Sequence, residues 1–322
     1  MKKLTCLILT AVLIITMAGC NEKETADNGQ PTIGQNNTHE TSSNNYNEEV
    51  TTEPENPLEP PEPPDPPDYI AIAKRLQNDS HGRIYIGMAD LMNPNGYRYA
   101  DEPGTIHPAS TIKCMIMEYA LLQIESGNAE LSSIQDGYTL LYLIERMIQV
   151  SCNDSTGSLI ARFGRENIDN WLQENYGDTR LYSDWRGYNH QNRYNQTSVE
   201  DTIVFLEKMW VNRTAQPYER MLDIMYGTTF SREKIPAATE GIPGVKVGNK
   251  TGSFVDGAGT ADHDMAVVVK FGSDGEIEFA YALTFYSFSQ HVESTYSVAR
   301  PAIVAMARDI YEQVSSFHFS EE

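Results

Sequence analysis

The chain has 322 residues, a formal net charge of −21 and an apolar fraction of 40%, so it is long enough for one large domain or two small ones. Its acidic balance argues against nucleic acid as a partner, because phosphates select a basic surface. A small anionic ligand stays compatible with this balance, since a few converging cations are enough to bind one.

The first 20 residues, MKKLTCLILTAVLIITMAGC, carry two lysines, an apolar run and small residues before a cysteine. This order is typical of a secretory signal and not of a membrane-spanning helix. Met17-Ala18-Gly19-Cys20 is similar to the bacterial lipobox, whose cysteine is lipidated and becomes the new N-terminus. We therefore expect an exported lipoprotein, anchored through Cys20 to the extracytoplasmic face of a membrane, in preference to an ordinary cleaved signal.

Residues 21–67 are rich in Asn, Thr, Glu and Pro, with nine of the 16 prolines and eleven acidic residues against Lys23. Such a segment buries too little apolar surface to offset the entropy of ordering it. We predict a disordered acidic tether with a stiff proline-rich end, and a plain spacer in preference to a partner-binding segment. Residues 68–322 remain as the folded body, with a formal charge of −13.

The body has strand patterns at both ends and helical patterns between them. Periodicity predicts helices over 69–78, 110–127, 138–150, 155–164, 166–177, 198–210 and about 294–315, and strands over 83–91, 97–101, 244–248, 264–271 and 276–285. The simplest architecture is α+β: a five-stranded antiparallel sheet flanked by the first and last helices, with a second lobe built from the helices between. A cleft between two such lobes is a usual place for a site.

Two cysteines, Cys114 and Cys152, lie in the body. An exported chain permits a disulfide between them. Two separate buried thiols fit the sequence equally well, so both alternatives stay open.

Ser110-Thr111-Ile112-Lys113 opens a helical pattern shortly after Pro108. A serine hydroxyl becomes a nucleophile when a nearby base takes its proton, and a lysine that is held neutral can be that base. A helix N-terminus also offers free N–H groups to a developing oxyanion. Because roughly one such S-x-x-K is expected by chance, this motif alone does not identify an active site.

Ser151-Cys152-Asn153 follows an apolar helical run. A hydroxyl and an amide at this spacing can point into one crevice, where the hydroxyl relays a proton and the amide binds a carbonyl. An ordinary helix cap explains the same residues equally well.

Lys250-Thr251-Gly252 follows a short strand pattern and precedes Ser253. Lysine and threonine together can bind a carboxylate, and glycine lets a substrate backbone approach the strand. We expect this triplet to end the strand, ahead of a hairpin. A plain turn at a strand end is the alternative.

The order of the three motifs along the chain resembles that of the penicillin-recognising serine enzymes, and most closely the class A serine β-lactamases. The similarity spans about 69–315 and includes SCNDSTGSLI, TRLYSDW at the start of an omega-like loop, TSVEDTIVFLEKM and NKTGSF. It implies the serine β-lactamase/transpeptidase fold and an acyl-enzyme mechanism. We expect no metal, because the sequence has no H-E-x-x-H motif and no cysteine pair at ligand spacing. We also expect no cofactor and a monomer.

The resemblance also implies a role for each matched residue. Ser110 would be the acylated nucleophile, Lys113 its base or part of the base relay, and Ser151 a proton carrier. The remaining positions would bind the substrate, a β-lactam or a D-alanyl cell-wall peptide. Asn153 would bind its amide, Lys250 and Thr251 would bind its carboxylate, and its backbone would lie along Gly252. The N–H groups of Ser110 and Ser253 would bind the oxyanion.

The omega-like loop departs from the class A pattern. The family places a deacylating glutamate directly after its tryptophan, whereas Trp185 is followed here by Arg186 and by no acid before residue 198. An E-x-x-x-N starting at Glu166 lies about twenty residues too early, on a helical pattern, and we expect its glutamate to be solvated. Asp184 is the nearest acid but is out of register. Acylation therefore has the groups it needs, while fast deacylation lacks its usual base.

Further departures concern the residues around the other two motifs. Cys152 replaces the family's aspartate, and no arginine follows Lys250-Thr251-Gly252 where the family often has one. Asp262-His263-Asp264 lies near that point. A polar start of a strand explains these three residues better than a metal site does.

Three functions fit the sequence. An efficient β-lactamase is the family's usual activity, and the missing glutamate makes a penicillin-binding or peptidase-like enzyme at least as well supported. A non-catalytic module that binds cell-wall fragments or a partner protein is the alternative from another class.

Overall fold

A computed structural model of the chain describes residues 83–93, 95–186, 193–256, 259–289 and 299–319. The predicted signal, the tether and the helix over 69–78 lie outside the described residues.

The strands confirm the predicted α+β architecture. In chain order they are β1 (Arg83–Asp90), β2 (Arg98–Ala100), β3 (Ile134–Gln135), β4 (Tyr138–Thr139), β5 (Val245–Asp256), β6 (Gly259–Phe271) and β7 (Ile277–Ser289). Five of them form one antiparallel sheet in the order β2-β1-β7-β6-β5, and β3 and β4 form a separate hairpin. Because β1 pairs with β7, the two ends of the body share one sheet, and β5 lies at its edge.

The described part of the chain contains a short 3-10 helix (Ala109–Ile112) and eight α-helices. These are α1 (Lys113–Glu125), α2 (Leu140–Gln149), α3 (Asn153–Phe163), α4 (Arg165–Tyr176), α5 (Val199–Val211), α6 (Tyr218–Tyr226), α7 (Ile235–Ala238) and α8 (Arg300–Phe319). Within the described ranges, no helix combines the length and the apolar character that crossing a bilayer requires.

The central strand β6 explains why its sequence is apolar without alternation. Met265 and Val267 pack into the core shared with helices α1 to α6, while Ala266 and Val268 pack into the core shared with α7 and α8. Because successive residues of a strand face opposite sides, a strand that is buried on both faces must be apolar throughout. The helical lobe covers one face of the sheet and the C-terminal helix covers the other.

Three strands, β5, β6 and β7, are longer than predicted, and the difference is largest for β5 and β6. β5 continues to Asp256 and β6 begins at Gly259, so Lys250-Thr251-Gly252 lies inside a strand and the prediction that it ends one was wrong. The physical reason is that polar residues face each other across the two strands, with Thr251 opposite Asp264. This polar pairing hides the strand pattern in the sequence.

Several helix boundaries also differ from the prediction. Helices α6 and α7 have no counterpart among the predicted elements, although α6 buries an apolar face of Met221, Leu222 and Met225. Tyr138 and Thr139 belong to β4, and the hydroxyl of Thr139 accepts a hydrogen bond from the Tyr142 N–H at the start of α2. Capping by threonine favours this boundary.

Candidate active site

Ser110 lies in the 3-10 helix that leads into α1 and is half-buried. The backbone of the preceding Ala109 is left-handed, with φ at 49°, and its N–H donates to the Nδ1 atom of His107 over 2.9 Å. A left-handed alanine is strained, and such strain persists where the surrounding contacts determine the conformation. The segment that carries Ser110 is therefore held in one defined shape.

Gly252 of β5 packs directly against this segment. A Cβ atom added at Gly252 would lie 2.8 Å from the Pro108 carbonyl oxygen and 2.9 Å from the Ser110 nitrogen. From the sequence, the missing side chain of Gly252 is expected to let a substrate backbone approach the strand. The structure gives it another role, because the glycine is what allows the Lys250 strand to reach the Ser110 backbone.

Lys113 is fully buried one turn after Ser110. Its Nζ atom donates to the Asn153 Oδ1 over 2.7 Å and to the Ser151 carbonyl oxygen over 2.9 Å, with the Ser151 Oγ at 3.4 Å. Burial, assisted by the positive charge of Lys250, lowers the pKa of Lys113 to about 7. A lysine with this pKa is partly neutral near neutral pH, which general-base catalysis requires.

Lys250 reaches the same place from the sheet. Its side chain is 1% exposed, and its Nζ atom donates to the Ser151 Oγ over 2.9 Å and to the Thr251 carbonyl oxygen over 2.7 Å. Burial lowers the pKa of Lys250 to about 8. A bound carboxylate would offset this cost of burial and stabilise the charged ammonium.

The Ser151 hydroxyl lies between the two lysines. Because an ammonium can only donate, the Ser151 oxygen accepts from both and its own proton is free to point elsewhere. The backbone of Ser151 is left-handed, with φ at 56°. This arrangement suits a hydroxyl that gives a proton to a leaving group and recovers one from a lysine.

Asn153 is the first residue of α3 and its side chain is exposed. Since its Oδ1 atom accepts from Lys113, the two N–H donors of its amide remain available to a carbonyl group. Cys152 caps the helix, with its Sγ atom accepting from the Ser155 N–H over 3.5 Å. Cys152 and the buried Cys114 are both free thiols, so no disulfide joins them in this structure.

The hydroxyls of Ser110 and Thr251 make no hydrogen bonds within the described part of the chain. A direct hydrogen bond from Ser110 to Lys113 is therefore not formed here, because the Lys113 ammonium is occupied by Ser151 and Asn153. In enzymes without substrate such contacts are often long and tighten in the complex. The structure thus brings the three motifs to one place and leaves two hydroxyls free to meet a ligand.

Three successive residues of β6 form hydrogen bonds to the segments that carry Ser110 and Lys250. Asp264 accepts from the Asn249 amide over 3.0 Å, and Asp262 accepts from the Ser253 hydroxyl over 2.7 Å. His263, between them, points to the opposite face, where its Nε2 atom donates to the His107 carbonyl oxygen over 2.9 Å. Burial lowers the pKa of His263 to about 3 and raises that of Asp264 to about 6.

These contacts correct the interpretation of Asp262-His263-Asp264 as the polar start of a strand, because all three are fully buried inside β6. The neutral His263 accepts from the Ser287 N–H through Nδ1, which leaves the proton on Nε2. In the described part of the chain, no group of His, Cys, Asp and Glu side chains has the arrangement needed to hold a metal ion.

Two cations that the sequence analysis missed lie behind β5. The Nζ atom of the fully buried Lys234 donates to Asp262 over 2.6 Å, and the Nε atom of Arg300 donates to the same carboxylate over 2.9 Å. Burial opposes the ionisation of Asp262, but Lys234 and the hydrogen bonds from Ser253 and Arg300 hold its pKa below the usual range. No local motif marks these cations, since Arg300 follows Ser253 by more than forty residues.

In the omega-like loop, the residue after Trp185 is an arginine whose side chain binds other residues of the helical lobe. Arg186 forms an ion pair with Asp136, and its Nη2 atom donates to the Ser158 Oγ over 2.7 Å. Glu166 is exposed on α4 and pairs with Arg165 at 3.5 Å, which agrees with the expectation that it is solvated. Among the described residues, no carboxylate forms an ion pair with Lys113.

Comparisons with known proteins show what the chain is similar to. A family model described as the Beta-lactamase enzyme family matches residues 70–314. Among curated protein sequences, none matches the chain significantly.

Solved structures share the fold at low sequence identity. A β-lactamase from Sphaerobacter thermophilus DSM 20745 is 16% identical with a TM-score of 0.64, and the match covers 77% of this chain and 99% of that one. A β-lactamase from Chitinophaga pinensis DSM 2588 is 15% identical with a TM-score of 0.64, and the match covers 77% of this chain and 100% of that one. A mutant of PBP-A, solved as its acyl-enzyme complex with penicillin G, is 19% identical with a TM-score of 0.61. The match covers 76% of this chain and 95% of that one.

Proposed function

Since the chain belongs to the β-lactamase enzyme family and is a serine hydrolase of that type, we propose that Ser110 is its acylated nucleophile. The observation that carries this proposal is the Ser151 hydroxyl, which accepts from both Lys113 and Lys250 beside the Ser110 segment. Chance matches to three short motifs would not bring two buried lysines to one hydroxyl.

In the proposed acylation, neutral Lys113 takes the proton of the Ser110 hydroxyl. The Ser110 oxygen bonds to the substrate carbonyl carbon, and the N–H groups of Ser110 and Ser253 stabilise the oxygen that becomes negative. Ser151 then donates its proton to the leaving nitrogen as the C–N bond breaks. A lysine returns a proton to Ser151, so the proton taken from Ser110 is balanced by the one given to the leaving group.

Substrate binding uses the remaining groups. Lys250 and Thr251 bind the carboxylate, because one supplies charge and the other an unoccupied hydroxyl. Asn153 donates its free amide hydrogens to the carbonyl of the substrate side chain. A β-lactam and a D-alanyl peptide of the cell wall each carry a carboxylate and an amide, so these are the proposed substrates. Penicillin G forms an acyl-enzyme with a PBP-A mutant of similar fold, which supports this substrate class.

Release of the acyl group is proposed to be slow. Hydrolysis requires a base that activates water, and the position after Trp185, where the family's glutamate would stand, is occupied by Arg186, whose side chain is bound to Asp136 and Ser158. The proposal is therefore a penicillin-binding or peptidase-like enzyme that acylates readily and turns β-lactams over slowly. Export and lipid anchoring at Cys20 would place it beside the cell wall.

Labelling with a fluorescent penicillin tests this function. The wild-type protein should become covalently labelled and should keep the label after free ligand is removed. S110A should remain unlabelled, while S126A, which alters an exposed serine at the end of α1, should label as the wild type does. An unlabelled wild-type protein, or a labelled S110A, would contradict the proposal. Binding of cell-wall fragments without a label, unchanged in S110A, would instead support a non-catalytic module.

A further inference from the structure

Trp185 lies beside the candidate base in a way that the proposed mechanism does not use. The Lys113 Nζ atom is 5.6 Å from the centre of the Trp185 ring, within the range of about 6 Å over which an ammonium is attracted to an aromatic face. Trp185 is half-buried and packs against the core of the helical lobe. The ring therefore covers a side of Lys113 that the contacts to Ser151 and Asn153 leave open.

The backbone holds Trp185 in this place. Its φ is 57°, a left-handed conformation that is uncommon for a large residue. The next residue, Arg186, is anchored to Asp136 and Ser158, and its side chain lies across Gly157 of α3, where a Cβ atom would come within 2.6 Å of the Arg186 Cγ. The anchored arginine and the left-handed turn together fix the indole over Lys113.

An indole at this position has two opposing effects on the amine. Its face attracts the protonated form, and its bulk excludes the water that the protonated form prefers. The other ionisable groups that face Lys113 are Lys250 from β5, which also disfavours the charge, and Cys152 from the turn before α3, which favours it. Burial is the largest cause of the lowered pKa of Lys113, and the indole is one of the groups around this amine. We therefore expect that removing the ring would admit water and raise this pKa.

We propose that Trp185 is a positioning residue that covers Lys113 and keeps water away from the acyl group on Ser110. The inference rests on the proposed function, and it adds a physical reason for slow release beyond the missing glutamate. Water cannot be activated beside Lys113 while the ring occupies the space next to the amine. Removing the ring opens that space.

The first test follows the amine through tryptophan fluorescence and needs no acylation. Emission of the wild-type protein should change with pH around the Lys113 pKa of about 7, because protonation next to an indole alters its fluorescence. W171F should keep this transition, since Trp171 lies near a different lysine, Lys208. W185F should lose it. A wild-type protein without the transition, or a W185F variant that retains it, would overturn the contact between Trp185 and Lys113.

The second test compares W185L, which removes the ring, with W185F, which keeps an aromatic face and retains most of the packing. In W185L, the pH below which acylation slows should rise by about one unit, and the lifetime of the acyl-enzyme should fall about tenfold or more. W185F should stay within about twofold of the wild type in both respects. If W185L matches the wild type in pH profile and adduct lifetime, the proposal fails although the acylation of Ser110 stands.

If the wild-type protein forms no adduct, the proposed function fails and fluorescence decides the contact by itself. The transition in the wild-type protein and in W171F, with its loss in W185F, would then support Trp185 as the cover of Lys113. Its absence from the wild-type protein would overturn that assignment as well.

Discussion

Two buried lysines that share one hydroxyl define the candidate site at the scale of single residues. Burial disfavours the charge of both lysines, with a further contribution from Lys250 at Lys113 and from Lys234 at Lys250, so Lys113 has a pKa of about 7 and Lys250 of about 8. A lysine in water has a pKa of about 10.4 and would be too strongly protonated to act as a base. By removing water from Lys113, the site keeps part of this amine neutral and able to accept a proton, while Lys250 keeps more of the charge that a carboxylate needs.

The pH dependence of acylation tests the assignment of Lys113. Protonated Lys113 cannot take the Ser110 proton, so the acylation rate should fall as the pH drops below the Lys113 pKa of about 7. K113R keeps a cation that cannot deprotonate, and it should acylate about 10³-fold more slowly at every pH. Single-turnover labelling across a pH series measures both effects. A flat wild-type profile, or K113R acylating at the wild-type rate, would exclude Lys113 as the base.

Much of the residue-level site could be predicted from the sequence, because each motif has a fixed spacing. Lys113 follows Ser110 by one helical turn, and Asn153 follows Ser151 by two residues. Trp185, Lys234 and Arg300 could not be placed in this way. Their contacts join residues that are distant in the chain, and no short pattern encodes such contacts.

At the scale of secondary structure, the fit between β5 and the 3-10 helix sets the distance between the motifs. The strand carries Lys250 and Thr251, the helix carries Ser110, and Gly252 is the residue at which they touch. The left-handed Ala109 and the hydrogen bond from His263 to His107 hold the helical side of this contact. Small changes at the contact should therefore affect chemistry more than stability.

Replacing Gly252 by alanine tests this fit. In G252A the new Cβ atom would press on the Pro108 carbonyl oxygen and the Ser110 nitrogen, which are backbone atoms with little room to move. We expect acylation to slow at least about tenfold, because a misplacement of about 1 Å already costs more than that.

A second glycine of the same strand supplies the matched control. In G248A the new Cβ atom would meet the Tyr226 ring and the Met225 Cβ atom of α6, at 3.1 Å or more, so acylation should stay within about twofold while stability falls slightly. Labelling rates and urea midpoints for both variants separate the two effects. Equal labelling rates in G252A and G248A would show that the contact does not set the geometry of the site.

The lengths of β5 and β6 show why elements near the site were harder to predict than elements in the core. Core strands such as β7 have an apolar pattern that reports their position. Asn249, Asp262 and Asp264 are polar and fully buried, because they hydrogen-bond to one another or to neighbouring elements. A polar run of this kind has the composition of a loop, and only pairing across strands shows that it is a strand.

At the scale of the whole molecule, Asp262 connects the sheet to both elements on its outer face. Its carboxylate accepts from Lys234 before α7, from Arg300 of α8 and from Ser253 of β5. A fully buried carboxylate and lysine are tolerated together because each neutralises the other. Removing one partner leaves the other as an uncompensated charge.

D262N tests this connection through stability. We expect it to lower the free energy of unfolding at neutral pH by about 3 kcal/mol, since Lys234 would be left without its counter-ion. The pKa of Asp262 is held below its usual range, so its ionised form stabilises the fold above the unfolded pKa of about 3.9. That contribution is lost as the pH falls through the lower folded pKa.

Urea unfolding at neutral and at strongly acidic pH measures the difference in the free energy of unfolding between D262N and the wild-type protein. This difference should be smaller in acid. E233Q is the matched control, because Glu233 also pairs with Arg300 but is largely exposed, and it should cost less than about 1 kcal/mol. A D262N protein as stable as E233Q at neutral pH would show that the buried pair does not hold the outer face of the sheet.

The overall architecture follows from the order of patterns along the chain, since strands at both ends with helices between them leave few alternatives to one shared sheet. β1 and β7 meet for this reason, although nearly two hundred residues separate them. The export signal and tether stay predictions, because residues 1–67 lie outside the described part of the chain.

Intact-protein mass spectrometry after exposure to penicillin G tests the central claim most directly, namely that Ser110 is acylated and that the acyl group leaves slowly. The wild-type protein should gain the mass of one penicillin and keep it after the free ligand is removed. S110A should gain no mass. A wild-type mass that never changes while penicillin is hydrolysed quickly, or a persistent adduct on S110A, would contradict this claim.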